Sequence, residues 1–108
     1  MRAATRDEIT PAILRDRLTY CPTTGVIRWR NGPFSGKPAG TIRSGYLRIN
    51  VHVINILAHR AAWAITHGEW PKNVIDHINH DPLDNSIKNL RDVSALENAR
   101  NRRKRRHC

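Results

Sequence analysis

Acidic residues and cysteines are both scarce in this chain. Nine Asp and Glu stand against nineteen Lys and Arg, which gives 108 residues a formal net charge of +10. Such an excess excludes a strongly cationic partner and favours a polyanion. Cys21 and Cys108 lie far apart and lack the CxxC spacing of a zinc site. We therefore expect no disulfide framework, no cysteine-bound metal and a reduced, cytoplasmic setting.

Long apolar runs are also missing. Hydrophobic residues make up 39% of the chain, and no stretch approaches the roughly 20 apolar residues of a membrane-spanning helix. No N-terminal segment resembles a signal peptide, so we expect no export. The basic residues are not accompanied by an amphipathic helix with a large apolar face, which disfavours a membrane surface. Nucleic acid is the favoured partner.

The first half of the chain predicts a short helix and a small antiparallel sheet. Thr10 is placed to cap a helix that begins at Pro11. Residues 26–30 alternate as a strand, and a loop rich in glycine and proline follows at 31–40. In the next strand region the predicted apolar face carries Leu47, Ile49, Val51 and Val53, and the other face carries Tyr46, Arg48, Asn50 and His52.

The polar face of this sheet is basic. Arg28, Arg30 and Arg48 lie on it without an acidic partner in either strand, and Arg43 stands at the start of the second strand region. An ordinary solvated sheet is one explanation, since outer faces are usually polar. We favour contact between these arginines and DNA phosphates.

Residues 57–67 change to a helical pattern. Ala58, Ala61, Ala62 and Ile65 form an apolar stripe, and Gly68 stands where a C-terminal cap belongs. His59 lies on this helix. A packed or hydrogen-bonded histidine is the simpler interpretation, and the sequence assigns it no role.

The second half predicts a hairpin followed by a helix. A short strand from Val74 leads into Asp76 and His77, and residues 89–93 return as a second strand. Between them, residues 78–88 have the composition of an ordered loop, with Ile78, Leu83 and Ile87 expected to anchor it. Ser94 and Glu97 then have the spacing of a capping box, so a helix is expected to begin at Ala95 and run into an arginine-rich tail.

One group of residues in this half has side chains suited to a catalytic site. Asn89 follows the Asp76-His77 pair by twelve residues, and Asn98 comes nine residues later. The carboxylate can hold a divalent metal, the imidazole can activate water, and the amides can supply further oxygen donors. Turn formation explains the loop's other Asp and Asn residues, but it does not explain Asn98, because asparagine disfavours a helix interior. The pattern points to a metal-dependent nuclease.

Several motifs together resemble the HNH endonuclease family, in particular its phage-type branch with homing endonucleases. Residues 59–63, 76–79, 84–85, 89–91 and 97–98 read HRAAW, DHIN, DN, NLR and EN. The resemblance covers about residues 57–102. It implies an α+β fold in a single domain over residues 1–108. A helix and a basic antiparallel sheet would occupy 1–56, and a helix plus a ββα-metal motif with a basic tail would occupy 57–106.

The resemblance also implies the roles of the site residues. Asp76 and Asn98 would bind one divalent ion, for which Mg²⁺ is expected and Mn²⁺ should support activity. His77 would be the general base, and Asn89 would hydrogen-bond across the loop and hold His77 in position. Hydrolysis of a DNA phosphodiester would leave 5′-phosphate and 3′-hydroxyl ends.

The sequence departs from its relatives in the turns. His80 stands where glycine is usual, and Pro82 where a basic residue is common; the 52–56 region also lacks a turn glycine. Asn79 and His80 can still form their turn, because both residue types tolerate positive φ.

Double-stranded DNA is the expected substrate. Besides the sheet arginines, the predicted contacts are Arg91, Asn101, Arg102, Arg103 and Arg105. A nicking enzyme, a homodimer that cuts both strands, and an accessory nuclease of phage DNA packaging all fit the sequence. A phage-encoded protein would act in the bacterial host cytoplasm. A non-catalytic DNA-binding protein on the same fold is the alternative from another class.

Overall fold

A computed structural model describes residues 9–93 of the chain. It has an α+β architecture, as predicted, with two α-helices and three small antiparallel sheets. The helices are α1 (Pro11–Arg17) and α2 (Ala58–His67). The strands are β1 (Leu18–Tyr20), β2 (Ile27–Trp29), β3 (Thr41–Arg43), β4 (Tyr46–Val51), β5 (Ile54–Leu57), β6 (Val74–His77) and β7 (Leu90–Val93). The sheets pair β1 with β2, β3 with β4 and β5, and β6 with β7.

Helix α1 begins as its sequence predicts. The Thr10 hydroxyl accepts the Ile13 N–H at 3.2 Å, and Pro11 occupies the first helical position. The helix ends at Arg17, and the fully buried Leu18 begins β1.

The predicted strand of residues 46–53 ends two residues early. His52 and Val53 adopt positive φ values of 52° and 59°, and β5 returns antiparallel to β4 with Val51 opposite Ile54. Val53 is 81% exposed, so its predicted place on the apolar face is wrong. Two consecutive left-handed residues suit a two-residue hairpin turn, which the absence of glycine concealed. Leu57 accordingly ends β5 and does not belong to the helix.

Helix α2 lies at the centre of the core. Ala58, Ala61, Ala62 and Ala64 are fully buried, and their small side chains let the helix backbone approach its neighbours closely. Gly68 ends the helix as predicted, in the left-handed conformation, with its N–H donated to the Ala64 carbonyl at 2.8 Å. The large side chains around the helix are Ile9, Leu14, Leu18, Ile27, Ile49 and Ile56, all with 2% exposure or less.

The C-terminal prediction lies partly outside the described residues. The hairpin of β6 and β7 is present, with a short 3-10 helix (Ile87–Asn89) leading into β7. The capping box of Ser94 and Glu97 and the helix expected from Ala95 fall beyond residue 93. Within residues 9–93 no helix is long and apolar enough to cross a membrane.

Candidate active site

The β6–β7 hairpin presents the two residues on which the nuclease hypothesis depends. Asp76 pairs with Arg91 and His77 with Leu90 in its register. Both polar side chains are buried, with exposed fractions of 4% for Asp76 and 7% for His77. Burial of a carboxylate and an imidazole at the end of one strand requires polar partners, because unpaired buried polar groups are costly.

Hydrogen bonds, more than apolar anchors, hold the loop between the two strands. Ile78 and Leu83 are 47% and 46% exposed, so their predicted anchoring role is wrong, whereas Ile87 packs against the core. Asn89 spans the loop instead. Its side-chain oxygen accepts the Asn79 N–H at 2.9 Å, and its amide nitrogen donates to the Asn79 side chain and to the Asp84 carbonyl.

The turn at Asn79 and His80 forms without the glycine usual in relatives. His80 has a φ of 68°, and its N–H donates to the His77 carbonyl at 2.9 Å. The Asn79 side-chain oxygen also accepts the Asp81 N–H, which fixes the residue after the turn.

Asn85, not Asn89, contacts the His77 ring. The Nε2 atom of His77 lies 3.0 Å from the Asn85 side-chain oxygen, and Asn85 is only 2% exposed. An amide oxygen only accepts, so Nε2 carries the proton and the basic lone pair of the neutral ring is on Nδ1. By its sequence position, Asn85 is expected to be a turn former within the family motif. Its role at the ring depends on a tertiary contact that no local pattern reveals.

The N-terminal half fixes the backbone of Asn85. The Tyr20 hydroxyl donates to the Asn85 carbonyl, and burial is the largest of the causes that raise the pKa of Tyr20 to about 12. Gly25, at φ +80°, lies against the same segment: a β-carbon there would come within 2.3 Å of the Ser86 nitrogen. The Pro22 carbonyl accepts the Ile87 N–H at 3.0 Å. The turn between β1 and β2 therefore supports the loop that orients His77.

Two further rings surround His77. His59 packs nearly perpendicular to it, with ring centroids 4.9 Å apart, and Tyr46 lies at 6.4 Å from His77 and 5.9 Å from His59. Burial, then the nearby His77 and Arg60, lowers the pKa of His59 to about 4. All three rings line a cavity of about 410 Å³ whose wall also includes Asp76, Arg48 and His80.

The family comparison matches the part of the chain that supplies most of the wall of this cavity. Residues 57–100 match the model of the HNH endonuclease family. Over these residues the chain is similar to HNH endonucleases. Its matched segment contains α2, the hairpin and the loop with Asn85 and Asn89. No curated protein and no solved structure gives a significant match.

Within residues 57–93, Asp76 is the one buried carboxylate, and it is suited to bind a divalent ion. Asp76 lines the cavity, and its Oδ2 atom accepts hydrogen bonds from Nε and Nη2 of Arg91 at 3.2 and 3.0 Å. Residues 9–93 contain no cluster of three His, Cys, Asp or Glu side chains that could hold a metal. The donor chemistry fits an oxygen-preferring ion held by few protein ligands. The other predicted ligand, Asn98, lies outside the described residues.

Apart from Arg91, whose guanidinium donates to Asp76, the predicted DNA contacts fall into three groups. Arg28 donates to the Gly36 carbonyl, and Arg30 donates to the carbonyls of Arg15 and Leu18, so both side chains also stabilise the fold. Arg43 is exposed, and the half-buried Arg48 lines the cavity with an Nε atom that has no hydrogen-bond partner within residues 9–93. Asn101, Arg102, Arg103 and Arg105 lie outside the described residues.

Proposed function

We propose that this HNH protein is a metal-dependent DNA endonuclease in which His77 is the general base. The observation that supports this most strongly is the arrangement around His77. Its Nε2–H is directed to Asn85, its basic nitrogen is Nδ1, and it shares a cavity with the buried Asp76. A neutral imidazole in this tautomer is suited to take the proton of an attacking water.

His77 would remove that proton as the water oxygen attacks phosphorus, and the bond to the 3′ oxygen would break. The products would carry 5′-phosphate and 3′-hydroxyl ends. Asn85 would hold the ring in one tautomer, and Asn89 would keep the loop closed through its bonds to Asn79 and Asp84. In this proposal Asn89 acts across the loop, as the resemblance implied, and Asn85 is the residue in contact with the ring.

Asp76 and Asn98 are the proposed ligands of one divalent ion, Mg²⁺ first and Mn²⁺ as a substitute. A bound ion would supply positive charge at the scissile phosphate and the leaving oxygen. Two protein ligands suit Mg²⁺, which commonly keeps several waters and uses substrate phosphates. The Arg91 guanidinium holds the buried Asp76 carboxylate from the opposite strand, as is common for metal-binding carboxylates.

Arg48 is the described residue best placed to bind a phosphate near the site. Its partly buried side chain lines the cavity beside His77 and Asp76, and its Nε donor lacks a partner within residues 9–93. Guanidinium groups match phosphate geometry with paired donors. Arg43 and the C-terminal residues Asn101, Arg102, Arg103 and Arg105 would extend contact along double-stranded DNA.

A plasmid assay tests the proposal. Supercoiled DNA is incubated with the protein and Mg²⁺ or Mn²⁺, with and without excess chelator, and nicked products are treated with DNA ligase. We expect open circles that require metal and that ligase reseals, since 5′-phosphate and 3′-hydroxyl ends are ligatable. Because one site cuts one strand per engagement, nicked circles should precede linear DNA. Retarded but uncut plasmid would support the non-catalytic DNA-binding alternative.

A further inference from the structure

His59 is a buried histidine beside the proposed base, and the proposed reaction gives it no task. It is the second residue of α2, with 7% of its surface exposed, and it lines the same cavity as His77 and Asp76. A polar ring buried at this place, where valine or leucine would fill the space more cheaply, indicates a role at the site.

The contact between the two imidazoles is close and specific. Their centroids lie 4.9 Å apart with an interplanar angle of 77°, the edge-to-face geometry favoured by aromatic pairs. Tyr46 completes the group, because its ring lies within 6.4 Å of both histidines. The β4 strand and α2 thus each direct one ring against His77.

His59 is also suited to lie beside His77 without taking part in proton transfer. Burial, the adjacent His77 and Arg60 lower its pKa to about 4, so the ring is uncharged near neutral pH. Its position in the first turn of α2 acts in the same direction, because the positive end of a helix disfavours an imidazolium. An uncharged His59 can pack against His77 without competing for the proton of the attacking water.

We propose that His59 is a positioning residue whose ring, packed edge-to-face on His77, fixes the direction of the base within the cavity. The inference rests on the proposed function of His77. The hydrogen bond to Asn85 holds the Nε2 atom of the ring. Packing by His59 and Tyr46 adds contacts on the ring itself, which restrict its tilt and keep Nδ1 aimed at one place.

Two substitutions separate ring packing from ring chemistry. His59→Phe keeps a flat ring of similar size without nitrogen atoms, whereas His59→Ala removes the ring. Ile65→Ala is the matched control, because it removes volume from the same helix at a partly buried position away from the cavity wall. Single-turnover cleavage of plasmid is measured at saturating enzyme, and affinity for the same DNA is measured in chelator.

We expect His59→Ala to lower the cleavage rate about 10- to 100-fold, since misplacement of a reacting group by about 1 Å can cost about 100-fold. DNA affinity should stay within about twofold, and His59→Phe and Ile65→Ala should cleave within about threefold of wild type. Equal losses in both His59 variants would overturn ring packing as the mechanism. So would wild-type rates in His59→Ala, or a loss in Ile65→Ala as large as in His59→Ala.

A spectroscopic measurement tests the position of the His77 ring without relying on DNA cleavage. Nuclear Overhauser contacts between the His77 and Tyr46 rings report the direction of the His77 ring, and long-range ¹H–¹⁵N NMR correlations report its tautomer. We expect the Nε2–H tautomer in all three proteins, because Asn85 accepts that proton, and ring contacts that persist in His59→Phe and weaken in His59→Ala. If the wild-type protein cuts no DNA but the three proteins give the expected spectra, the proposed function is wrong and the positioning role of His59 is supported. If His59→Ala keeps the wild-type spectrum, the positioning role is wrong.

Discussion

Among residues 9–93, Asn85 is the side chain whose hydrogen bond selects the tautomer of His77. Its buried amide oxygen accepts the Nε2 proton, which places the basic lone pair on Nδ1. The residue is held from outside the HNH segment by Tyr20 and Gly25, so its placement is independent of its own side-chain contact. Substitutions of the side chain should therefore act on catalysis more than on folding.

Asn85→Ala is expected to lower the cleavage rate at least about 10-fold, because the His77 ring is then no longer held in one tautomer. A positioned general base contributes roughly 100- to 10,000-fold to a rate. Asn85→Asp, which retains an acceptor oxygen, should keep more activity than Asn85→Ala. Plasmid nicking rates and thermal melting curves check both. Asn73→Ala, an exposed asparagine just before β6, is the control. Equal activities of Asn85→Ala and the control would contradict the account.

The lowered pKa of His59 makes a distinct prediction about stability. Folding holds this pKa at about 4, whereas the unfolded value is near 6.5, so between these values the unfolded chain binds the extra proton. The contribution of neutral His59 is therefore complete above pH 6.5 and is lost as the pH falls towards 4. The maximum slope from one group is about 1.4 kcal/mol per pH unit.

Denaturant unfolding at several pH values measures this effect. The free energy of unfolding of wild type, relative to His59→Phe, should fall as the pH is lowered from 6.5 to 4.5. Taking the difference removes the contribution of carboxylates that titrate in both proteins. Parallel stability curves for the two proteins would show that His59 is protonated in the folded state as readily as in the unfolded chain.

At the scale of elements, local sequence predicted much but missed the hairpin turn of β4 and β5. The caps of α1 and α2, the strand of residues 74–77 and the α+β class follow from local rules about N-caps, C-terminal glycine and alternation. The turn at His52 and Val53 does not, because no glycine marks it and a β-branched valine disfavours positive φ. Asn85 was likewise hidden, since its partners Tyr20 and Gly25 lie some 60 residues away in the chain.

The same turn is a site of backbone strain that can be relieved. Val53 is β-branched, has a φ of 59° and is 81% exposed, so a change there loses little burial. Val53→Gly should raise the free energy of unfolding by about 1 kcal/mol, because the left-handed conformation costs L-residues roughly 1–2 kcal/mol. Val53→Ala should gain less, since its β-carbon remains. Denaturant unfolding measures both free energies. Unchanged or lowered stability in Val53→Gly would contradict the claim that this turn is strained.

At the scale of the whole molecule, the net charge of +10 predicts salt-dependent DNA binding. The arginines should not contribute equally. Arg48 lines the cavity with a donor that lacks a partner within residues 9–93, whereas Arg30 is committed to the carbonyls of Arg15 and Leu18. Composition alone does not distinguish these two positions, because both lie on predicted strands.

We expect Arg48→Ala to reduce the slope of log affinity against log salt by about 0.9, the value for one phosphate contact. Arg30→Ala should change this slope less and should instead lower stability by about 1 kcal/mol through its lost hydrogen bonds. Fluorescence anisotropy across a salt series and denaturant unfolding measure the two effects. Identical slopes for wild type and Arg48→Ala would remove Arg48 from the DNA interface.

We propose that His77 performs the chemistry on DNA that the protein binds without the help of this residue. One preparation of His77→Ala, compared with wild type, tests this most directly through plasmid cleavage in Mg²⁺ and DNA affinity in chelator. We predict a cleavage rate lower by about 100- to 10,000-fold, the range of general-base contributions, with DNA affinity within about twofold of wild type. Cleavage by His77→Ala at the wild-type rate would contradict the assignment of His77 as the base.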